Sequence, residues 1–242
     1  TNRLVNYMAA LHNVTPRPQR QAASRSLRLT RAPRPGQGRR PKTIQRIVAS
    51  AEVIFAEQGM DGARTDAIAR AARVNKALLY YYFTSKEDLY RFTLQTLLKQ
   101  MRQQVESGMK TSATPQERLV WYVQAYFDFM SAHPNYPRLV QREVLGRGQS
   151  LRWIVRVYFG PLYRRLETTI RAGIARGEFR RVDPQNMALT LISMTVFYFA
   201  AAPVLRELWR RDPLAPARVA VRQRSVLDFL EHGLFQRAVR TR

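Results

Sequence analysis

Cysteine is absent from the 242 residues, which rules out disulfides, thiolate metal sites and cysteine nucleophiles and leaves the redox compartment open. Histidine is scarce. His12, His133 and His232 stand far apart, none with a partner at metal-ligand spacing, so no metal site is expected. The chain also lacks a Ser-His-Asp set, a glycine-rich phosphate loop and paired carboxylates in an apolar run. No catalytic residues, no cofactor and no enzyme activity are therefore expected. No stretch alternates apolar and polar residues with the period of a strand, and no internal repeat is present. Acid is in short supply too: 17 Asp and Glu face 41 Lys and Arg, a formal charge of +24. Such a field draws polyanions, with nucleic acid and an anionic membrane surface as the two candidates.

What is present divides unevenly. Residues 1–51 hold ten arginines, Lys42 and no acid, +11; residues 52–91 are neutral; the remainder carries +13. Over residues 1–40 there is no sustained apolar period, and Pro16, Pro18, Pro33, Pro35, Gly36 and Gly38 interrupt the chain, so this part reads as a disordered basic arm. The run from Leu4 to Leu11 is broken by Asn6 and Tyr7 and makes a poor secretory signal. An organellar transit peptide is the alternative for an acid-free, Arg- and Ser-rich start. Because the first residue is Thr1, the sequence reads either as a fragment or as one begun upstream of the natural start. With 45% hydrophobic residues the rest suits a globular class.

From residue 41 the period becomes helical. Ile44, Ile47, Val48, Ala51 and Phe55 make one amphipathic stripe that opens at Pro41 and stops at Gly59. Thr65 is expected to cap a short second helix with Ile68, Ala69 and Ala72 facing inward, and Asp66 sits near its positive end. After an Arg73-Val74 turn, Asn75 is expected to cap a third helix whose inward residues are Leu79 and Phe83. Ser85-Lys86-Glu87-Asp88 then caps a long helix to about Lys110. Stretches 115–132, 136–146, 151–177, 184–210 and 216–236 follow, each bounded by Pro, Gly or Asp-Pro. The fold class is all-α: residues 41–88 form a three-helix helix-turn-helix unit, whose third helix can lie in a major groove, and residues 89–238 a larger helical bundle.

Leu79 and Phe83 facing the core leave Ala77, Leu78, Tyr80 and Tyr81 outward. Either DNA covers them, with Lys76 and Lys86 neutralising phosphates, or Tyr80, Tyr81 and Tyr82 pack under a neighbouring helix. The stretch Thr43 to Tyr90, and above all Ile68-Ala69-Arg70-Ala71-Ala72-Arg73-Val74-Asn75-Lys76-Ala77-Leu78-Leu79-Tyr80-Tyr81-Tyr82-Phe83 followed by Ser85-Lys86-Glu87-Asp88-Leu89, resembles the DNA-binding domain of the tetracycline-repressor (TetR) family. The resemblance implies a homodimer on a palindromic double-stranded operator, released when a small-molecule effector enters the C-terminal domain. By position it implies DNA contacts at Thr65, Asp66, Lys76, Ala77, Leu78, Tyr80, Tyr81, Tyr82 and Lys86. Arg73 stands where the family usually has glycine, and Asp66 where some members have a base-reading arginine.

Met187 to Leu205 runs nineteen residues without a charge. This is at the threshold for a membrane span, but a buried interface helix paired with the stripe Val219, Val226, Leu227, Leu230 and Leu234 is preferred, giving a four-helix dimer bundle and no membrane partner. An aromatic excess in residues 121–163 and 194–198 is either plain core or, for a minority of it, the lining of a cavity for an apolar or aromatic ligand between those helices, with Trp121, Tyr126, Trp153 and Phe197 as the expected contacts. The expected function is a sequence-specific repressor acting in the cytoplasm. A membrane-associated protein and a non-specific nucleic-acid binder are the rivals.

Overall fold

The structure, a computed structural model, describes residues 40–108, 114–145 and 150–236. The basic arm expected over residues 1–40 lies outside them but for its last position. Helices α1 (Arg40–Gly62), α2 (Thr65–Ala71), α3 (Lys76–Tyr82) and α4 (Lys86–Gly108) come first. The stripe on α1 turns inward as its period requires, with Ile47, Ala51 and Phe55 fully buried against α4. The helical run on α1 is broken at Gly59, whose φ of 74° and ψ of 175° are not helical. In α2 the cap differs from expectation. Arg64 holds the extended cap position without a side-chain bond, and Thr65 lies one residue inside the helix.

Arg73 adopts φ 53°, the left-handed conformation that glycine would reach without strain. Its N–H donates to the Arg70 carbonyl at 3.0 Å while Val74 N–H donates to that of Ala69 at 2.9 Å, closing α2 with paired bonds that offset the strain. Asn75 caps α3 as expected, its Oδ1 accepting from Leu78 N–H at 2.7 Å. Leu79 and Phe83 are buried below α3. Before α4, Ser85 Oγ accepts from Asp88 N–H, and the Asp88 carboxylate accepts from the backbone and hydroxyl of Thr84.

The second half is a bundle of α5 (Pro115–Ala132), α6 (Tyr136–Leu145), α7 (Ser150–Ile154), a π-helical turn (Val155–Phe159), α8 (Gly160–Ala175), α9 (Pro184–Ala200), α10 (Ala202–Trp209) and α11 (Pro216–Gly233). Thr114 and Glu117 form a reciprocal capping box on α5, and Asp183 caps α9 through Asn186 N–H at 2.7 Å. Two expected continuous helices are in fact broken. The stretch 151–177 contains the π turn, and the stretch 184–210 bends by 66° at Ala201 between α9 and α10. Pro203 in the first turn of α10 lacks the N–H that a continuous helix would need there. Among the described residues no single helix is long and apolar enough to cross a membrane; that length is reached by α9 and α10 jointly, across the bend. The described residues form no strand, only one isolated antiparallel bridge between Phe179 and Phe235.

Candidate nucleic-acid interface and ligand cavity

On the small helical unit the inward positions are taken by Ile68, Leu79 and Phe83, so α3 presents its other face outward. Ala77 and Lys76 are exposed, Leu78 is half-buried, Tyr80 is exposed, and Tyr81 is the most open of the aromatics here at 66%. Tyr82 packs partly against the core, edge-on to Tyr81. Of the tyrosine run, then, Tyr82 packs against the core while Tyr80 and Tyr81 are left outward. Two polar contacts join α2 to α3 across this face. Lys76 Nζ pairs with Asp66 at 2.9 Å, and the hydroxyls of Thr65 and Tyr80 lie 3.3 Å apart. The hydrogen bond that Lys76 donates to Asp66, and then the carboxylate's charge, hold the Lys76 ammonium above its ordinary pKa, so it stays cationic.

Lys86 is differently placed. Its Nζ donates to the Asp61 and Ala63 carbonyls at 3.1 and 3.2 Å, closing the end of α1 rather than standing free beside a phosphate. Those carbonyls lie in the last turn of α1 and just past its end at Gly62, where no intrahelical N–H reaches them. Arg64 and Arg70, not singled out from the sequence, are exposed on the same unit, as is Arg73.

Inside the bundle lies a cavity of about 660 Å³. Its wall comes from Met101 on α4, from Tyr122, Tyr126 and Met130 on α5, and from Tyr136 and Val140 on α6. Phe159 of the π turn, Tyr163 on α8, and Ile192 and Val196 on α9 close it. Exposed Val144, Leu145, Val155 and Arg164 form the rim. Of the four expected ligand contacts, Tyr126 is on this wall and three are not. Trp121 projects from another face of α5, lies over Gly108, donates from Nε1 to the Val105 carbonyl at 3.2 Å and borders a separate surface groove with Leu227 and Phe235. Trp153 packs edge-on against Tyr158, and Phe197 is 69% exposed on the outside of α9. A step of one residue turns a helix by about 100°, so Trp121 and Phe197 are carried off the faces of their neighbours Tyr122 and Val196. The spacing Tyr122, Tyr126, Met130 was the available signal for the face that lines the cavity; Tyr136, just after a turn, had none.

Helix α6 touches both halves. One side lines the cavity, while Arg142 donates to the Glu57 carbonyl at 3.1 Å, just before the Gly59 break, and Glu143 accepts from the Tyr90 hydroxyl at 2.7 Å. Outside the bundle, Leu189 and Phe197 on α9 and Val221 and Phe229 on α11 leave apolar side chains exposed.

A capped helix-turn-helix joined to a helical bundle with an open-mouthed cavity is the layout of a regulator of the one-component kind. Residues 47–91 match the family described as bacterial regulatory proteins, tetR family, and residues 115–230 match the tetracyclin repressor-like C-terminal domain. The transcriptional repressor NicS of Pseudomonas putida is 28% identical over 160 residues, 65% of this chain and 76% of its own. The fatty acid metabolism regulator protein of Bacillus subtilis is 27% identical over 158 residues, 65% of this chain and 81% of its own. The transcriptional regulator FadR from Bacillus subtilis, solved with stearoyl-CoA, superposes with a TM-score of 0.60 at 22% identity, over 77% of this chain and 96% of that one. The chain belongs to the TetR family of transcriptional regulators.

Proposed function

We propose that this protein is a repressor that acts in the cytoplasm, binds a palindromic operator as a homodimer, and lets go when an apolar or aromatic small molecule fills the bundle cavity. Residues 41–88 supply the DNA-binding part and residues 89–238 the sensing and dimerising part, α4 being shared between them. The observation that carries the reading is the outward face of the Asn75-capped α3, where Lys76, Ala77, Tyr80 and Tyr81 stand clear of the core. Small and apolar groups suit thymine methyls, and a lysine and a tyrosine hydroxyl suit base edges or phosphates. Thr65, Asp66, Leu78 and Tyr82 border the same face; Lys86 serves it by holding the end of α1.

Release follows from geometry. Two recognition helices must sit about 34 to 36 Å apart to enter successive major grooves. A ligand that binds better at another spacing weakens DNA binding by the factor that DNA weakens its own, and a coupling of about 1 to 3 kcal/mol suffices. The cavity wall, nearly all apolar and aromatic, supports a hydrophobic ligand. So, more distantly, does the stearoyl-CoA held by the fold-related FadR. The test is to select DNA fragments on the purified protein, sequence them, and titrate hydrophobic compounds against the selected duplex. Inverted half-sites and displacement by a cavity-binding compound are expected. Enrichment without symmetry or sequence preference would replace the reading with non-specific nucleic-acid binding.

A further inference from the structure

Of the side chains that line the bundle cavity, one carries a charge: Arg164, exposed at the rim with Val144, Leu145 and Val155. Its guanidinium lies over Gly160, where an added Cβ would stand 3.3 Å from Nη1, and Gly160 is itself part of the lining. The charge is therefore held at the mouth. The one carboxylate on α8, Glu167, pairs with Arg171 at 2.6 Å, and among the described residues none pairs with Arg164. We propose that the cavity takes an amphipathic molecule, its apolar body inside and a single anionic group, carboxylate or phosphate, left at the mouth against Arg164; this rests on the ligand-controlled reading above and names the class of its ligand.

The two parts of such a molecule answer to two environments. Inside, Met101, Met130, Val140, Ile192 and Val196 stand among aromatic rings, and an apolar body placed there leaves water. No cation lines that depth, so an anion carried inward would be stripped of water without a counter-charge. At the mouth the same group keeps part of its hydration and meets a planar guanidinium that can bond two oxygens at once. The exposed Val144, Leu145 and Val155 suit the junction between the parts, because an apolar segment crossing the rim covers them.

Local structure singles out Arg164 from the general positive field of the chain. Gly160 begins α8 directly after the π turn Val155–Phe159, and a Cβ there would also stand 2.9 Å from the Val155 carbonyl; glycine leaves the arginine room to lie across the backbone at the mouth. Arg102, which reaches the same π turn from α4, is already engaged, by Glu106 at 2.9 Å and by the Val157 carbonyl at 3.0 Å. Arg165 is exposed too, but a step of one residue turns it off the lining. It carries the same charge without the position, which makes it the control.

The experiment uses the full chain and four matched probes kept below their aggregation limits, dodecanoate, dodecyl phosphate, 1-dodecanol and dodecylammonium, followed by calorimetric titration at low and at moderate salt. One or both anions are expected to bind more tightly than the alcohol and the ammonium, with a preference that shrinks as salt rises. Arg164→Ala should cut the ratio of anion to alcohol affinity about threefold to tenfold, with alcohol binding and melting temperature nearly unchanged. Arg164→Lys should keep much of that ratio and Arg165→Ala all of it. Preference for dodecanoate alone assigns a carboxylic acid, for dodecyl phosphate alone a phosphate ester, and for both an anionic end of either kind; each supports the proposal. An anion preference that survives Arg164→Ala, one lost equally in Arg165→Ala, or affinity for the alcohol or the ammonium at or above that for both anions overturns it. If none of the four binds, the proposal and the cavity reading fall together, whereas anion binding with these signatures but no displacement of operator DNA would count against the regulatory reading alone.

Discussion

Lys76 and Asp66 face each other on the surface that is proposed to meet DNA, so the first charge a phosphate encounters there is already paired. An exposed pair of this kind adds little to folding stability, because solvent screens it and both side chains lose freedom. Its consequence is for binding. The carboxylate repels phosphate from every sequence alike, whereas the ammonium can leave it for a base or phosphate where the fit is good. Asp66→Asn should therefore raise affinity for any duplex and narrow the gap between operator and scrambled DNA. Lys76→Ala should weaken operator binding by about tenfold or more. Anisotropy titrations on the two duplexes over a range of salt separate the outcomes, and unchanged affinities in both variants would remove this face from the interface. Tyr80→Phe should cost about 1 kcal/mol of operator affinity if its hydroxyl exchanges Thr65 for a phosphate.

Helix α6 is the element that joins chamber and DNA-binding unit. Tyr136 and Val140 lie on the cavity while Arg142 holds the Glu57 carbonyl and Glu143 holds Tyr90, so a ligand that moves α6 pulls on the end of α1 and on α4. Arg142→Ala should leave ligand affinity nearly intact and reduce the change in operator affinity that the ligand produces, measured by binding each with and without the other. Gly59 marks the point where the clamp acts. A side chain there would meet a positive φ and stand 2.7 Å from the Arg142 guanidinium, so Gly59→Ala should destabilise the fold by about 1 kcal/mol or more, a fall of about 2 to 4 °C in the melting temperature.

For the molecule entire, the question is which apolar surface is core and which is left for a partner. The sequence reading sets the helix Met187 to Leu205, which includes Leu191, and the stripe through Leu227 at the dimer interface. Leu191 instead is fully buried on the inner side of α9, and Leu227 is partly buried, bordering the same groove as Trp121. The outward apolar residues on those two helices are Leu189, Phe197, Val221 and Phe229. Sedimentation should find Phe197→Arg monomeric and folded, with poor binding to a full operator, and Leu191→Arg unfolded. A wild-type monomer at micromolar concentration would contradict the proposed assembly.

Much of the fold was legible in residue order because it rests on interactions within a few positions. Asn75 reaches Leu78, Asp183 reaches Asn186, and the stripe on α1 repeats every three or four residues, so helix ends and buried faces of the small unit could be read directly. Arg73 at φ 53° was legible only through the resemblance, which puts glycine at that turn. The site in the bundle was not. Whether Trp121 or Tyr122 looks inward, where α9 ends at Ala201, and that Lys86 and Arg142 both end on α1 or its continuation depend on partners as far as 85 residues away, such as Arg142 and Glu57. Local periodicity specifies that a helix has an apolar side; which neighbour that side packs against, and so where a chamber is left open, follows only from the packing of all the helices together.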